Sequence, residues 1–445
     1  MNTKTTLKRT LTLTHLVLFG LAYMTPMVVF AIYGVLAEAT HGLVATAYFV
    51  AMLAMLLTAY SYGQMVKAYP VSGSAYTYTR KAIHPNLGFL VGWAVLLDYV
   101  FLPMVIWLIG SVYLQAAFPG VPTWIWILLF ILITTAINFI GIQVTASVNF
   151  LLMLFQFLVI FLFVLFSVIS LTRGEGMGTV FSAAPFFNGD VSFSLVLAGA
   201  AIAAYSFLGF DAVSTLSEET IEPQKTIPRA IMLIALFGGG IFIVASYFSY
   251  MVFPDYSQFA DIDSAGFEIA RFVGGNLFSA IFLAGIIIAQ FTSGLSAQAS
   301  AARLLFAMGR DSVLPKRIFG ALHPRYQTPM LNLAVIGVIG LLAIVMDVST
   351  STSFINFGAF VTFTFVNLSV IGHYYVKQRR RSGSDFLRYL LIPLVGACFD
   401  FWLLLNLDVN ALTLGGVWTA IGFLYLLYLT RFFKQHPPEL DFGDT

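Results

Sequence analysis

The sequence predicts an all-α integral membrane protein of twelve transmembrane helices. Composition is the first observation behind that expectation: of 445 residues, 59% are hydrophobic and only 9% charged, whereas soluble domains carry roughly 25% charged residues. The second is that apolar runs of about 18 residues or more, the length that crosses a bilayer, follow one another almost from end to end. The third is the distribution of positive charge, which alternates between the loops.

The expected spans are 13–36, 43–66, 86–117, 122–140, 146–172, 194–216, 227–253, 276–305, 329–347, 353–376, 387–406 and 411–433. The first run follows Lys4, Lys8 and Arg9, continues for more than 20 residues and lacks a small-residue cleavage pattern, so it reads as a span rather than a removable signal. Counted from a cytoplasmic N-terminus, the alternating loops place every one of the 22 Lys and Arg residues inside except Arg173 and Arg271. Glu175, Asp190, Asp255, Asp261, Asp263 and Glu268 gather on the other side. Because positive charge is retained inside, this pattern predicts a multi-pass protein of the plasma (inner) membrane with both termini cytoplasmic. A single misplaced span would have scrambled it.

Two spans carry signals for interruption. In the first, GLAYMTPMVVFAIYG at 20–34 holds Gly20, Pro26 and Gly34, and Pro26 both removes a donor and crowds the preceding turn. In the sixth, AYSFLGFDAVSTLSEE at 204–219 sets Gly209 between aromatics and follows it with Asp211. Gly and Pro are common in membrane helices for packing reasons alone. These two runs, however, lie five spans apart, at corresponding places in spans 1–5 and 6–10, the pattern of an inverted-repeat carrier whose half-helix ends face a substrate. Tyr23, Met24, Thr25 and Pro26 at one break, and Tyr205, Ser206, Phe207 and Gly209 at the other, are therefore the expected substrate-binding residues. Tyr23, Tyr205, Phe207 and Phe210 offer aromatic faces that attract an ammonium group.

Buried acids are the second clue, since an ionised carboxylate at the bilayer centre costs several kcal/mol unless it faces water or a partner. Asp211, directly after the break, is the expected proton-coupling residue, with capping as the bland alternative. Asp98 joins the expected substrate site, although a structural pairing would also explain it. Asp400, in a late span, reads as structural, and Cys398 as a small packing residue.

No HExxH, P-loop or clustered histidines occur. An enzyme, a bound metal or other cofactor, and nucleic-acid binding are therefore not expected. The partners implied are a small amine or amino acid, a coupling proton ahead of sodium, and the lipid bilayer.

Four stretches together carry a family resemblance: AYPVSGSAYTYTRKA at 68–82, SEETIEPQKTIPRAI at 217–231, ARLLFAMGRDSVLP at 302–315 and HPRYQTP at 323–329. The chain resembles the amino acid, polyamine and organocation (APC) transporters over nearly its whole length. Within them it is most similar to bacterial putrescine importers, through LAYMTPM at 21–27, LLDYVFLPM at 96–104 and SFLGFDAVSTLSEET at 206–220, among other runs. The resemblance implies one transmembrane domain over 1–445 with a LeuT-like 5+5 inverted repeat (about 13–172 and 194–376) plus two peripheral helices (about 387–433). It implies a site between helices 1, 3, 6, 8 and 10, with Tyr205 at the position of a gating aromatic and Asp211 at that of a proton-coupling acid.

Two positions depart from the putrescine-importer pattern: Ala31 stands where that branch has an acid, and Ser111 where it has a lysine. The second ammonium of a diamine is thereby left without an evident partner, and a neutral amino acid competes as substrate. Thr292, Ser293, Ser296 and Ser300 on span 8 fit either a sodium site or hydroxyl contacts between helices. The leading expectation is a secondary active, proton-coupled importer working by alternating access. An obligate amino acid/amine exchanger is the alternative within transport, and a sensor or channel-like protein the alternative outside it.

Overall fold

The structure, a computed structural model, describes residue 9 and residues 11–71, 73–140, 145–187, 191–310, 313–323, 328–435 and 437. Lys4, Lys8, Asp190 and Arg325 of the charge pattern lie outside the described residues, as do Ser72, 311–312 and 324–327 of the quoted motifs.

The first apolar run becomes three pieces: α1 (Leu13–Met24), α2 (Val28–Ala31) and α3 (Tyr33–Ala39). There follow α4 (Val44–Ala68), the short α5 (Ser74–Ala82), α6 (Pro85–Ala117), α7 (Thr123–Ile140) and α8 (Thr145–Thr172). The second half opens with α9 (Phe193–Ala203), which passes through 3-10 turns over Ala204–Phe207 and Ala212–Glu219. It continues as α10 (Pro223–Val252), α11 (Ala265–Arg310), the single turn α12 (Lys316–Phe319), α13 (Met330–Gly340) and α14 (Val348–Val370). The single turn α15 (Gly383–Phe386), α16 (Ile392–Leu405) and α17 (Val409–Leu429) complete the chain.

Every backbone polar group in hydrocarbon must be satisfied within its own segment, which favours helices. Among the described residues the sole strand-like feature is one bridge, Leu11 with Thr220, outside the spans. Ten helical stretches among the described residues are long and apolar enough to cross a bilayer. The expected fourth and ninth spans appear as the shorter apolar helices Thr123–Phe139 and Met330–Ile344. Seventeen residues rise about 25 Å, against a hydrocarbon core of about 30 Å. The expected eighth span begins earlier than its apolar run, at Ala265, and is interrupted at Gly275, where φ is +65°.

The two most extensive helix pairings are α4 with α10 and α6 with α11. Each joins two expected spans that lie five apart in the chain. The last pair of helices docks from outside. Trp93 on α6 and Trp418 on α17 stack at 5.0 Å, and each indole N–H donates to the other residue's backbone carbonyl at 2.9 Å.

Asp400 on α16 is wholly buried; its Oδ2 accepts from Thr58 Oγ1 at 2.7 Å and Asn367 Nδ2 at 2.9 Å, binding α16 to α4 and α14. This geometry is the structural pairing expected of it. Cys398, expected to pack, is instead exposed on the outer surface of the same helix.

Candidate functional site

Both predicted interruptions are present, and they touch. α1 stops at Met24 because Pro26 cannot continue the ladder. Thr25 turns out at φ +60°, and the chain re-enters a helix at Val28 through a Val28 N–H to Thr25 C=O bond of 2.9 Å. In the sixth span the α-helix tightens to 3-10 geometry at Ala204, and Gly209 takes φ +103°. A Cβ placed on Gly209 would lie 2.0 Å from Tyr23 Cδ1. The Tyr23 ring therefore rests on the bare backbone of the second break, which explains in one contact why a glycine sits there.

Beside that contact is a small cavity of about 20 Å³ lined by Tyr23, Met24, Thr25, Val28, Leu102, Ile106, Tyr205, Leu208, Gln290 and Ser293. Four expected site residues, Tyr23, Met24, Thr25 and Tyr205, line it. Pro26, Asp98, Ser206, Phe207 and Gly209 do not. The reasons are local: Ser206 Oγ is paired with the Tyr48 hydroxyl at 2.9 Å, and Phe207 packs edge-on against Phe242 at 5.3 Å. Phe210 is held between Tyr62 and Phe363. Pro26 and Gly209 shape the backbone.

Asp98 lies one helical turn before Leu102 and two before Ile106, so it continues the cavity-lining face of α6 by about 6 Å. It is buried, and its Oδ1 has no hydrogen-bond partner. Asp211 is equally buried; its Oδ2 accepts from the Tyr62 hydroxyl at 3.3 Å, with the amides of Gly209 and Ala212 close by. The two acids are near enough for the charge of Asp211 to act on Asp98, and for both to act on Tyr23. No Lys, Arg or His among the described residues is buried to balance them.

Sequence reasoning missed Tyr62, Val28, Leu102, Ile106, Leu208 and Gln290. The Gln290 amide nitrogen is buried without a partner at the cavity. A polar amide in an otherwise apolar stretch of span 8 was the one available signal. Of the span 8 hydroxyls, Ser293 donates to the Tyr23 carbonyl at 3.2 Å, and Thr292 bonds back to its own helix at Ile288 and Ala289. Ser111 likewise donates to Leu108 C=O at 2.7 Å, and Ala31 is buried.

The amino acid permease profile matches residues 15–431. The chain belongs to the amino acid permease family. This permease is 42% identical, over 98% of its own length and 96% of the relative's, to the low-affinity putrescine importer PlaP of Escherichia coli K12. It is 28% identical to the methylthioribose transporter of Bacillus subtilis 168, over 95% and 94% of the two chains. Among solved structures, the permease superimposes on a Na+-coupled sialic acid symporter in a substrate-bound outward-open state with a TM-score of 0.56. Identity there is 13%, with 90% and 89% of the chains covered, so the likeness is one of fold. The permease is thus a multi-pass membrane transporter in the APC superfamily.

Proposed function

We propose that the permease imports a small aliphatic diamine of the putrescine class across the bacterial inner membrane. The observation that carries this is the charge balance of the core: two buried acids, Asp98 and Asp211, beside one cavity with no buried cation among the described residues. Each uncompensated acid costs about 2.5–3.5 kcal/mol on insertion scales, so the site favours a ligand that brings positive charge. A diamine brings two such charges. The partner that Ala31 fails to supply for a second ammonium is Asp98, whose Oδ1 is free to accept. An α-amino acid would set its carboxylate within the field of the same two acids, which weighs against the amino-acid reading. The 42% identity to a putrescine importer supports the same conclusion.

The ammonium ends lie, in this reading, against Asp98 and against the faces of Tyr23 and Tyr205, where cation–π attraction adds to the carboxylate. Asp211 exchanges the coupling proton, with Tyr62 fixing its orientation. The pairing of α4 with α10 and α6 with α11 supports a five-plus-five repeat in which Thr123–Phe139 and Met330–Ile344 also span, giving twelve helices with both termini inside. Alternating access then hinges at the two breaks, and the Tyr23–Gly209 contact parts as the cavity opens to admit substrate.

The test is uptake of labelled putrescine by proteoliposomes under an imposed proton gradient, with cadaverine, leucine and arginine as competitors. Putrescine and cadaverine compete and leucine does not. Selective competition by leucine or arginine sinks the diamine assignment, uptake indifferent to the gradient sinks proton coupling, and uptake that requires internal amine makes the protein an exchanger.

A further inference from the structure

A second concavity, remote from the cavity at the breaks, lies where the start of α1 meets α4 and α10. It is a groove of about 460 Å³ lined by Leu13, Ala59, Tyr60, Gly63, Gln64, Lys67, Pro228, Arg229, Met232 and Leu233. Gly63 makes its floor: a Cβ there would come within 3.0 Å of Pro228, so the two helix backbones are already at closest approach. The walls toward the membrane are aliphatic and run on into exposed Leu53 on α4 and Leu236 and Phe237 on α10, the face this protein shows to lipid. The opposite end is basic. Lys67 and Arg229 are exposed there, and neither has an ion-pair partner among the described residues, in contrast to neighbouring Lys225, which pairs with Glu222 at 3.1 Å. Arg388 also acts electrostatically on Tyr60, adding a third positive charge near the rim.

An amphipathic groove with an aliphatic trough and unpaired cations at the headgroup end matches one class of ligand, since basic pockets between membrane helices bind anionic lipid headgroups. We propose that this groove binds a single anionic glycerophospholipid, its phosphate between Lys67 and Arg229 and an acyl chain along Leu13, Met232 and Leu233. Charge complementarity selects this occupant. The chain's own N-terminal residues bring Lys4 and Lys8, which the cations of the groove repel, and a second copy would present the same basic patch.

The experiment is native mass spectrometry of the full chain titrated with equal amounts of dioleoyl phosphatidylglycerol and dioleoyl phosphatidylethanolamine. The wild type retains one phosphatidylglycerol with at least fivefold preference. Lys67→Gln/Arg229→Gln brings the ratio within twofold of unity, while Arg379→Gln/Arg381→Gln, on another loop, keeps it. Leu233→Trp, which fills the trough without touching charge, lowers retention of the anionic lipid, and it carries the test if the double variant is not monodisperse. Equal retention of both lipids by the wild type overturns the proposal, as does an unchanged preference in the double variant. So does displacement of the lipid by glycerol 3-phosphate at equal concentration, which would make the site one for soluble phosphate, or crosslinking of the groove to a second copy.

Discussion

Replacing Gly209 by alanine tests the joint between the two breaks more directly than any other single change. The added Cβ would meet Tyr23 Cδ1 at 2.0 Å and Cε1 at 2.8 Å, far inside van der Waals contact. The ring has little freedom to retreat, because Tyr23 is 5% exposed and its carbonyl is held by Ser293. Alanine must also adopt φ +103°, a conformation that costs about 1–3 kcal/mol away from glycine. Overpacking of a tight site adds about 1–3 kcal/mol, so the state in which the breaks touch is disfavoured by about 2–6 kcal/mol. At 1.4 kcal/mol per tenfold, even the lower bound lowers the population of that state about thirtyfold. Putrescine uptake by proteoliposomes, with thermal unfolding of the same preparations, measures both consequences. Tyr23→Ala combined with Gly209→Ala removes the clash but not the backbone strain, so the pair is non-additive by about 1–3 kcal/mol in stability. Wild-type stability and uptake in Gly209→Ala, or strict additivity in the pair, would refute the claim that this contact holds the closed site together.

Asp98→Asn removes one charge-assisted contact of about 1.5–3 kcal/mol; KM for putrescine rises about ten- to hundredfold, while KM for butylamine, with one ammonium, rises less. Asp211→Asn abolishes the dependence of uptake on an imposed proton gradient but leaves putrescine exchange between the two sides measurable. Tyr62→Phe loses only a neutral donor to that acid, worth about 0.5–1.5 kcal/mol, and uptake falls no more than about tenfold. Asn367→Ala leaves Asp400 with one donor instead of two and destabilises the protein by about 1–3 kcal/mol in thermal unfolding, with KM for putrescine unchanged.

What the sequence made legible was whatever leaves a local trace. Pro26 and Gly209 announce the breaks by their own backbone chemistry, and their spacing by five spans placed them in a repeat before any contact was known. Tyr23 and Tyr205 were found for the same reason. The rest of the site is formed by approach between distant segments: Tyr62 meets Asp211 across 149 residues, and Ser293 meets Tyr23 across 270. Neither pairing has a periodicity or motif. Ser206 and Phe207 were placed in the site by adjacency to Tyr205, but in a 3-10 turn three successive residues point in three directions. Only Tyr205 of the three lines the cavity.

Fold similarity alone would not distinguish the substrates that proteins of this architecture carry. A Na+-coupled sialic acid symporter shares the fold at 13% identity, so the fold supplies the scaffold, and specificity belongs to the side chains set into it. Half of the ten residues lining the cavity, Tyr23, Thr25, Tyr205, Gln290 and Ser293, are polar and none carries charge, and the ionisable groups buried behind it, Asp98 and Asp211, are both acids. In the diamine reading proposed above, the methylene groups lie against Met24, Val28, Leu102, Ile106 and Leu208 and the cationic ends toward the acids and the aromatic faces. A ligand with a carboxylate meets no buried cation here among the described residues, and Ser111 donates to Leu108 on its own helix.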